Sequence, residues 1–478
     1  MPAPTPTELH EGGLALARNG QFQQAAELFE RACSLLPGNP VWHFNRGLAW
    51  QQAHDCRKAV AAYLEALALQ PKFFAAWQNL CIAYKSCGQF PQAIEAGRRA
   101  LEIAPRSSTA CLALGNAFKA HGDLQQALEI YQSGITAHPP NRELKLSLAN
   151  TYRELAQLDQ AFSLFVEILR AYPDWPEAHR DHAFALLLAG KLPEGWVENE
   201  WRWQTPEMKN LRRYVDRAWQ GQPLSGTTLL IHVEQGAGDA LQFLRYVNLA
   251  ADQAAKVVVE CTPPLLPLVK TMPKVSHVFL RGEEPPQWDY HLPLLSAPLL
   301  FGTRLDNIPA EVPYFFVPAM NHPKPRASLP NVGFVWAGNP AHANDLNRSI
   351  PYESACNFSG SGVANFFSLQ KGRAEKLPEP VYDLSAELDN YYDTARVIAG
   401  LDLIVSVDTS VAHLAGALGK PAWLLLPFAP DWRWLLQRND SPWYPTMRIY
   451  RQPKPGDWAS VLTQVQGDLA AYATPPRD

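Results

Sequence analysis

With 478 residues and a net charge of −4, the chain is too long for one hydrophobic core and should divide into roughly three domains. Acids and bases are mixed along its length, so nothing points to a nucleic-acid partner. No stretch approaches the ~18 apolar residues of a membrane span, and "MPAPTPTELHEGG" lacks the basic and apolar regions of a signal peptide, so a cytoplasmic location is expected. The seven cysteines, at 33, 56, 81, 87, 111, 261 and 356, form no C-x-x-C pair and read as buried thiols without metal or disulfide roles.

The first two hundred residues repeat. Ala25, Ala59, Ala93, Ala127 and Ala161 stand 34 apart, Gly195 continues the series, and Pro37, Pro71, Pro105, Pro139 and Pro173 keep the same step. A third column, Gly13, Gly47, Cys81, Gly115, Ala149 and Ala183, is always small. Two antiparallel helices approach closely only where small residues face each other, and proline stops the second helix. Gly20, Gly88, Gly122 and Gly190 mark the turn between them, where a left-handed backbone favours glycine; His54 and Ala156 break that column. The pattern resembles the tetratricopeptide repeat family, with five full units and the start of a sixth over residues 6–203. The resemblance implies an α-solenoid, a superhelix whose concave face docks peptides or proteins; support of the rest of the chain, or self-association into a homo-oligomer, is the alternative role. Asn45, Asn79, Asn116 and Asn150 lie on successive first helices as a candidate ladder for a peptide backbone, because an amide both donates and accepts. "EGWVENEWRW" reads as an aromatic cap.

After residue 220 the grammar changes to short Val/Ile/Leu runs alternating with helical stretches and turn residues, as in an α/β fold. "TTLLIHV", "KVVVEC" and "VSHVFL" are predicted strands, with "ALQFLRYVNLAADQA" and "PPLLPLVKTM" as helices. A proline-rich passage from Pro309 to Pro330 follows as a linker. A second unit then runs through "NVGFVWAG", "FFSLQ", the helix "YYDTARVIAG", "DLIVSV" and "PAWLLL". Two Rossmann-like domains, 204–320 and 321–478, place a ligand site in the cleft between them, at the carboxyl ends of the strands.

In "LDLIVSVDTSVAHLAGALGKPAWLLL", Asp408 ends a buried strand and Thr409 and Ser410 cap a helix rich in small residues. The unpaired N–H groups of such a helix start suit a diphosphate. His413, one turn in, can donate to phosphate or ribose or simply hold the loop, and Asp408 can take a ribose hydroxyl or orient the loop.

Four segments, "EQGAGDALQFLRY", "GFVWAGNPAHANDLNRSIP", "SLQKG" and "VDTSVAHLAGALGKPAWLLLPFAPDWRW", make residues 227–455 similar to the heptosyltransferase-like (family 9-like) glycosyltransferases. That resemblance implies a GT-B fold and an inverting transfer from a nucleotide-diphosphate sugar. Carried over residue by residue, it makes Asp239, after Gly238, the catalytic carboxylate, with Glu234 as competitor, and it places Arg348, before a proline, on phosphate. A guanidinium fork matches phosphate oxygens. Related repeat-fused sequences look as if they carry a second arginine where this chain has Leu346. Lys371 and Asn339 are further candidates for the nucleotide cleft, each with a solvated loop role as its alternative. No Asp-x-Asp pair ends a strand, so no cofactor and no obligatory metal are expected. Trp432, Trp434, Trp443 and Tyr444, with Arg433 beside them, form either a stacking platform or packing for the carboxyl tail. The expected function is a glycosyltransferase acting on a protein or glycan acceptor, such as a surface or flagellar protein, recruited by the array. The competing expectation is a scaffold that has kept a nucleotide site and lost turnover.

Overall fold

The computed structural model describes residues 4–136, 141–211, 213–342 and 344–472. Pro139 of the proline column lies outside the described residues. The chain forms two compact units, Met1–Pro173 and Asp174–Asp478.

The first unit is five antiparallel helix pairs: α1 (Pro6–Arg18) with α2 (Phe22–Leu35), α3 (Pro40–Gln52) with α4 (Cys56–Leu69), α5 (Phe74–Ser86) with α6 (Phe90–Ile103), α7 (Ser108–His121) with α8 (Leu124–Ile135), and α9 (Arg142–Glu154) with α10 (Leu158–Ala171). Local chemistry starts several of them. Thr5 Oγ1 accepts from Glu8 N (3.2 Å) while the Glu8 carboxylate accepts from Thr5 N (2.7 Å), and Asn39, Asp55, Ser107 and Asn141 cap later helices. The alanine column is fully buried. The small column works by receiving rings: a Cβ on Gly13, Gly47 or Gly115 would stand 2.7, 2.5 or 2.3 Å from Phe29, Tyr63 or Tyr131 of the partner helix. His54 and Ala156, which break the glycine column, nevertheless adopt φ of 61° and 57°, so the turn is left-handed whatever residue occupies it.

The expectation that every cysteine is a buried thiol needs two corrections: Cys356 is only half-buried, and Cys56 and Cys87 are joined in a disulfide, with Cα atoms 5.7 Å apart. Cys56 begins α4 and Cys87 caps α5. Both sit at turns that the repeat makes equivalent, and stacking brings neighbouring turns together. The pair is 31 residues apart, just short of one repeat, a signal invisible to a search for C-x-x-C.

The second unit opens with the sixth helix pair, α11 (Pro176–Leu188) and α12 (Leu192–Asn199), then α13 (Pro206–Lys209). Two parallel sheets follow. The first holds β1 (Thr228–His232), β2 (Lys256–Cys261), β3 (His277–Leu280) and β4 (Tyr290–Pro293) in the order β3-β2-β1-β4, with α14 (Ala237–Phe243), α15 (Tyr246–Ala251), α16 (Leu266–Val269) and α17 (Ala297–Leu300). The second holds β5 (Asn331–Val335), β6 (Asn365–Ser368), β7 (Tyr382–Asp383), β8 (Leu403–Val407), β9 (Ala422–Leu426) and β10 (Met447–Arg451) in the order β10-β9-β8-β5-β6-β7. Its helices are α18 (Asp345–Arg348), α19 (Tyr352–Ser359), α20 (Tyr391–Ala399), α21 (Ser410–Ala417) and α22 (Trp458–Tyr472). These strands pair in parallel, and β5, β6, β8 and β9 are buried throughout, as continuous apolar runs require. The unit is α/β. The helix expected over "ALQFLRYVNLAADQA" is divided in two at Leu244 and Arg245, and Arg245 is buried at the break. Among the described residues no helix is long and apolar enough to cross a membrane.

Candidate functional site

The carboxyl ends of β1 and β8 each lead into a short helix, and the two helices meet. A Cβ on Gly238 in α14 would lie at ordinary contact distance, 3.4 Å from His413 Cδ2 and 3.9 Å from Ser410 Cα in α21, so the two helix starts lie side by side. Asp239, the next residue, accepts from Gly236 N at 3.1 Å, which places it at the third helical position rather than at the cap. Its Oδ1 accepts from Arg433 Nη2. Burial pushes the Asp239 carboxyl up, against the pull of Arg433.

Arg433 sits deep in this cluster, 9% exposed. Its Nη1 donates to Asp431 Oδ1 at 2.8 Å and its Nε to Gln242 Oε1 at 2.6 Å, and the guanidinium lies 4.2 Å from the Trp432 ring centroid. Burial opposes its charge, yet Asp431 and Asp239 outweigh burial and hold its proton more tightly than usual. Asp408, at the end of β8, is pushed up to about 6, first by burial and then by Asp431. Its carbonyl accepts from Arg348 Nη1 at 3.2 Å. Arg348 lies flat on Gly338, where a Cβ would stand 2.5 Å from its Nε.

Seven of the residues expected to form the site are therefore gathered in one place: Gly238, Asp239, Arg348, Asp408, Thr409, Ser410 and His413. Thr409 does stand at the cap position of α21, but its side chain makes no cap bond; its hydroxyl pairs with Ser406 Oγ at 3.1 Å instead, and Ser410 is already helical and bonds Tyr391 Oη at 3.0 Å. His413 is 5% exposed, stacks on Trp434 and pairs through Nδ1 with Tyr444 Oη at 3.0 Å. Burial keeps it neutral, well below its ordinary titration range. It packs α21 against Trp434 and Tyr444. Asn339 is exposed and turns its carboxamide onto Ala341 N (3.0 Å).

Lys371 lies elsewhere, donating to Leu388 O on the rim of a cavity of about 190 Å³ at the ends of β5, β6 and β7, which Trp336, Gln370, Arg373, Lys376 and Asp383 also line. Glu234, the competing carboxylate, is consumed by Arg202, whose Nη2 lies 2.6 Å from Glu234 Oε1 inside a network with Glu200 and Ser296. Of the two roles open to the aromatic segment, packing prevails: Trp432, Trp434, Trp443 and Tyr444 are all buried. Sequence reasoning missed Arg433 as the partner of Asp239, and Arg373 and Asp345 as an ion pair. The alternation Asp431-x-Arg433 just after β9 was the available signal.

On the array, the asparagines are half-buried. Asn45 Nδ2 meets His10 Nε2 at 3.1 Å, Asn79 Nδ2 donates to Ala75 O at 2.9 Å, and Asn116 Oδ1 accepts from Tyr131 Oη at 2.6 Å. These three amides are spent at least in part within the solenoid.

Residues 44–108 and 118–183 each match the tetratricopeptide repeat family. The amino-terminal array is built of tetratricopeptide repeats. Among curated proteins, Protein FlbA of Caulobacter vibrioides is 26% identical over 341 residues, covering 61% of this chain and 54% of FlbA. The TPR repeat-containing thioredoxin TTL4 of Arabidopsis thaliana is 33% identical over 82 residues, covering 17% of this chain and 12% of TTL4. The chain thus spans about half the length of FlbA and a small part of TTL4. Among solved structures, a thermophilic TPR protein of Thermus thermophilus is 21% identical and covers 38% of this chain and 100% of its own, with a TM-score of 0.33. A tetratricopeptide repeat protein of Parabacteroides merdae is 17% identical, covering 41% of this chain and 77% of its own at a TM-score of 0.37.

Proposed function

We propose that the protein is an inverting glycosyltransferase of GT-B type, with the repeat array recruiting a protein or glycan-bearing acceptor. One arrangement carries this reading: a carboxylate on α14, one residue from the glycine that lies beside Ser410 and His413, near a strand end where Arg348 is fixed on the Asp408 carbonyl. The acceptor hydroxyl would attack the anomeric carbon and pass its proton to Asp239. The bond from that carbon to the diphosphate oxygen would break, and the nucleoside diphosphate would leave against α21 and Arg348. A base near the attacking hydroxyl and cationic or amide groups near the leaving anion are what such a reaction needs.

The test is release of nucleoside diphosphate from a panel of nucleotide sugars, with Asp239→Asn as control. Loss of a general base lowers the rate by about 100-fold or more; equal release by both proteins removes Asp239 from catalysis. Thermal shift with ADP, UDP and GDP tests the nucleotide site separately.

A second reading, a scaffold with a nucleotide site and no turnover, is favoured by the cations of the second half. Arg373 is paired with Asp345, Lys371 with a carbonyl, and Leu346, where relatives look to have arginine, is 71% exposed. Turnover of no donor, with a thermal shift retained, would select it.

A further inference from the structure

Asp239 is held by a residue from the other sheet's side of the unit. Asp239 and Gln242 lie on α14, which follows β1 of the four-stranded sheet; Arg433 and Asp431 lie on the segment after β9 of the six-stranded sheet. Resting on the transferase reading above, we propose that Arg433 is a positioning residue, through which the half carrying α21 orients the base on α14 and holds it as a carboxylate.

The geometry is specific. All three nitrogens of the guanidinium are engaged, one with Asp239, one with Asp431 and one with Gln242, and its face is covered by Trp432. The fork therefore has one orientation, and the nitrogen that meets Asp239 cannot swing away without giving up the other two bonds. Asp431 shares the charge, so Arg433 does not neutralise Asp239 as an isolated pair would. Gln242 fixes the guanidinium to the same helix that carries the base. A second clasp keeps the two halves in register: Arg245, at the end of the same helical stretch, donates to Trp443 O at 2.6 Å and to Pro309 O at 3.0 Å. With the halves so joined, Asp239 has one carboxylate oxygen spent on Gly236 N and the other on Arg433. Loss of the Arg433 charge with the halves still joined would leave a largely buried acid without its cation, and burial alone favours the protonated form, which cannot take a proton from an acceptor.

The experiment is the pH profile of nucleoside diphosphate release for the full chain and for Arg433→Lys and Arg433→Leu, with donor KM measured beside kcat. Arg433→Leu should move the acidic limb of kcat upward by about one pH unit or more, with donor KM changed less than threefold. Arg433→Lys, which keeps the charge without the fork, should return the limb most of the way while kcat stays several-fold low. An acidic limb in the same place for all three proteins overturns the proposal and makes Arg433 a packing residue; Arg433→Lys guards against misfolding of the leucine variant. A wild-type protein that releases nothing from any donor defeats the transferase reading itself, and this assignment with it. That outcome is distinguishable from an active enzyme whose limb does not move.

Discussion

In the array, the interior between helices is apolar, with a column of alanines and glycines and the rings that enter beside them: Ala59, Ala93 and Ala127 are fully buried, and Tyr63 and Tyr131 close over Gly47 and Gly115. In the α/β unit, the buried positions also include Arg202, Glu234, Arg245 and Arg433. Buried ion pairs are a poor source of stability, because desolvation offsets most of the attraction. The array is stabilised by shape repeated at a fixed step. The α/β unit accepts costly polar groups where they hold a particular side chain in a particular place. Function is to be sought in the unit whose apolar interior also holds buried charges.

The largest expected effect tests that contrast directly. Arg202→Met leaves Glu234 buried with no cation, and breaking one side of such a pair costs about 3–5 kcal/mol. Urea unfolding should show this loss, and the double variant Arg202→Met with Glu234→Gln should recover part of it. A loss under ~1 kcal/mol would mean that Glu234 reaches water and that the interior is not dry.

Next come two glycines, one from each unit. A Cβ on Gly115 would meet the Tyr131 ring at 2.3 Å, whereas on Gly400 it would meet the Met320 carbonyl oxygen at 1.8 Å. Overpacking of this kind costs about 1–3 kcal/mol. A ring can tilt and a backbone carbonyl cannot, so Gly400→Ala should lose more than Gly115→Ala. The reverse order would show that the array packs more rigidly than the segment before β5.

Acid titration sharpens the contrast further. The Asp408 carboxyl is raised from the ordinary 3.8 to about 6, so the folded protein binds a proton there that the unfolded chain has released. The contribution to stability is therefore greatest below about pH 4 and is lost as pH rises toward 6. In Asp408→Asn the stability of the α/β unit should fall less steeply over that window, and unfolding followed at several pH values would show it. Parallel slopes for the two proteins would mean that Arg433 and Arg348 cancel the combined effect of burial and Asp431.

How much of this was legible depends on whether a feature is periodic. The helix pairs, the buried alanine column and the strands β1, β2, β3, β5, β6, β8 and β9 follow from step and hydrophobicity, which one sequence displays. β4 does not; "YHLP" is too short and too polar to announce a strand, and His291 is buried there against His232. The gathering of Gly238, Asp239, Arg348, Asp408 and His413 followed from strand ends and from family likeness. The partner of Asp239 did not, because Arg433 is 194 residues away, and only the fold brings the two together. The same holds for Cys56 and Cys87, although there the repeat length held the clue.

The smallest effect concerns the one column in which residue type and conformation disagree. His54 takes φ of 61° and Gly88, at the equivalent turn of the next repeat, takes 73°. For histidine this backbone costs on the order of 1 kcal/mol, which glycine avoids, less what glycine loses in the freedom of the unfolded chain. His54→Gly should therefore raise the thermal midpoint slightly. Gly88→Ala should lower it, even though a Cβ there would meet no heavy atom within 4 Å. Circular dichroism melts of the two variants should move in opposite directions. If both fall, the His54 side chain contributes a contact that outweighs its strained backbone, and the turn column is set by side chains after all.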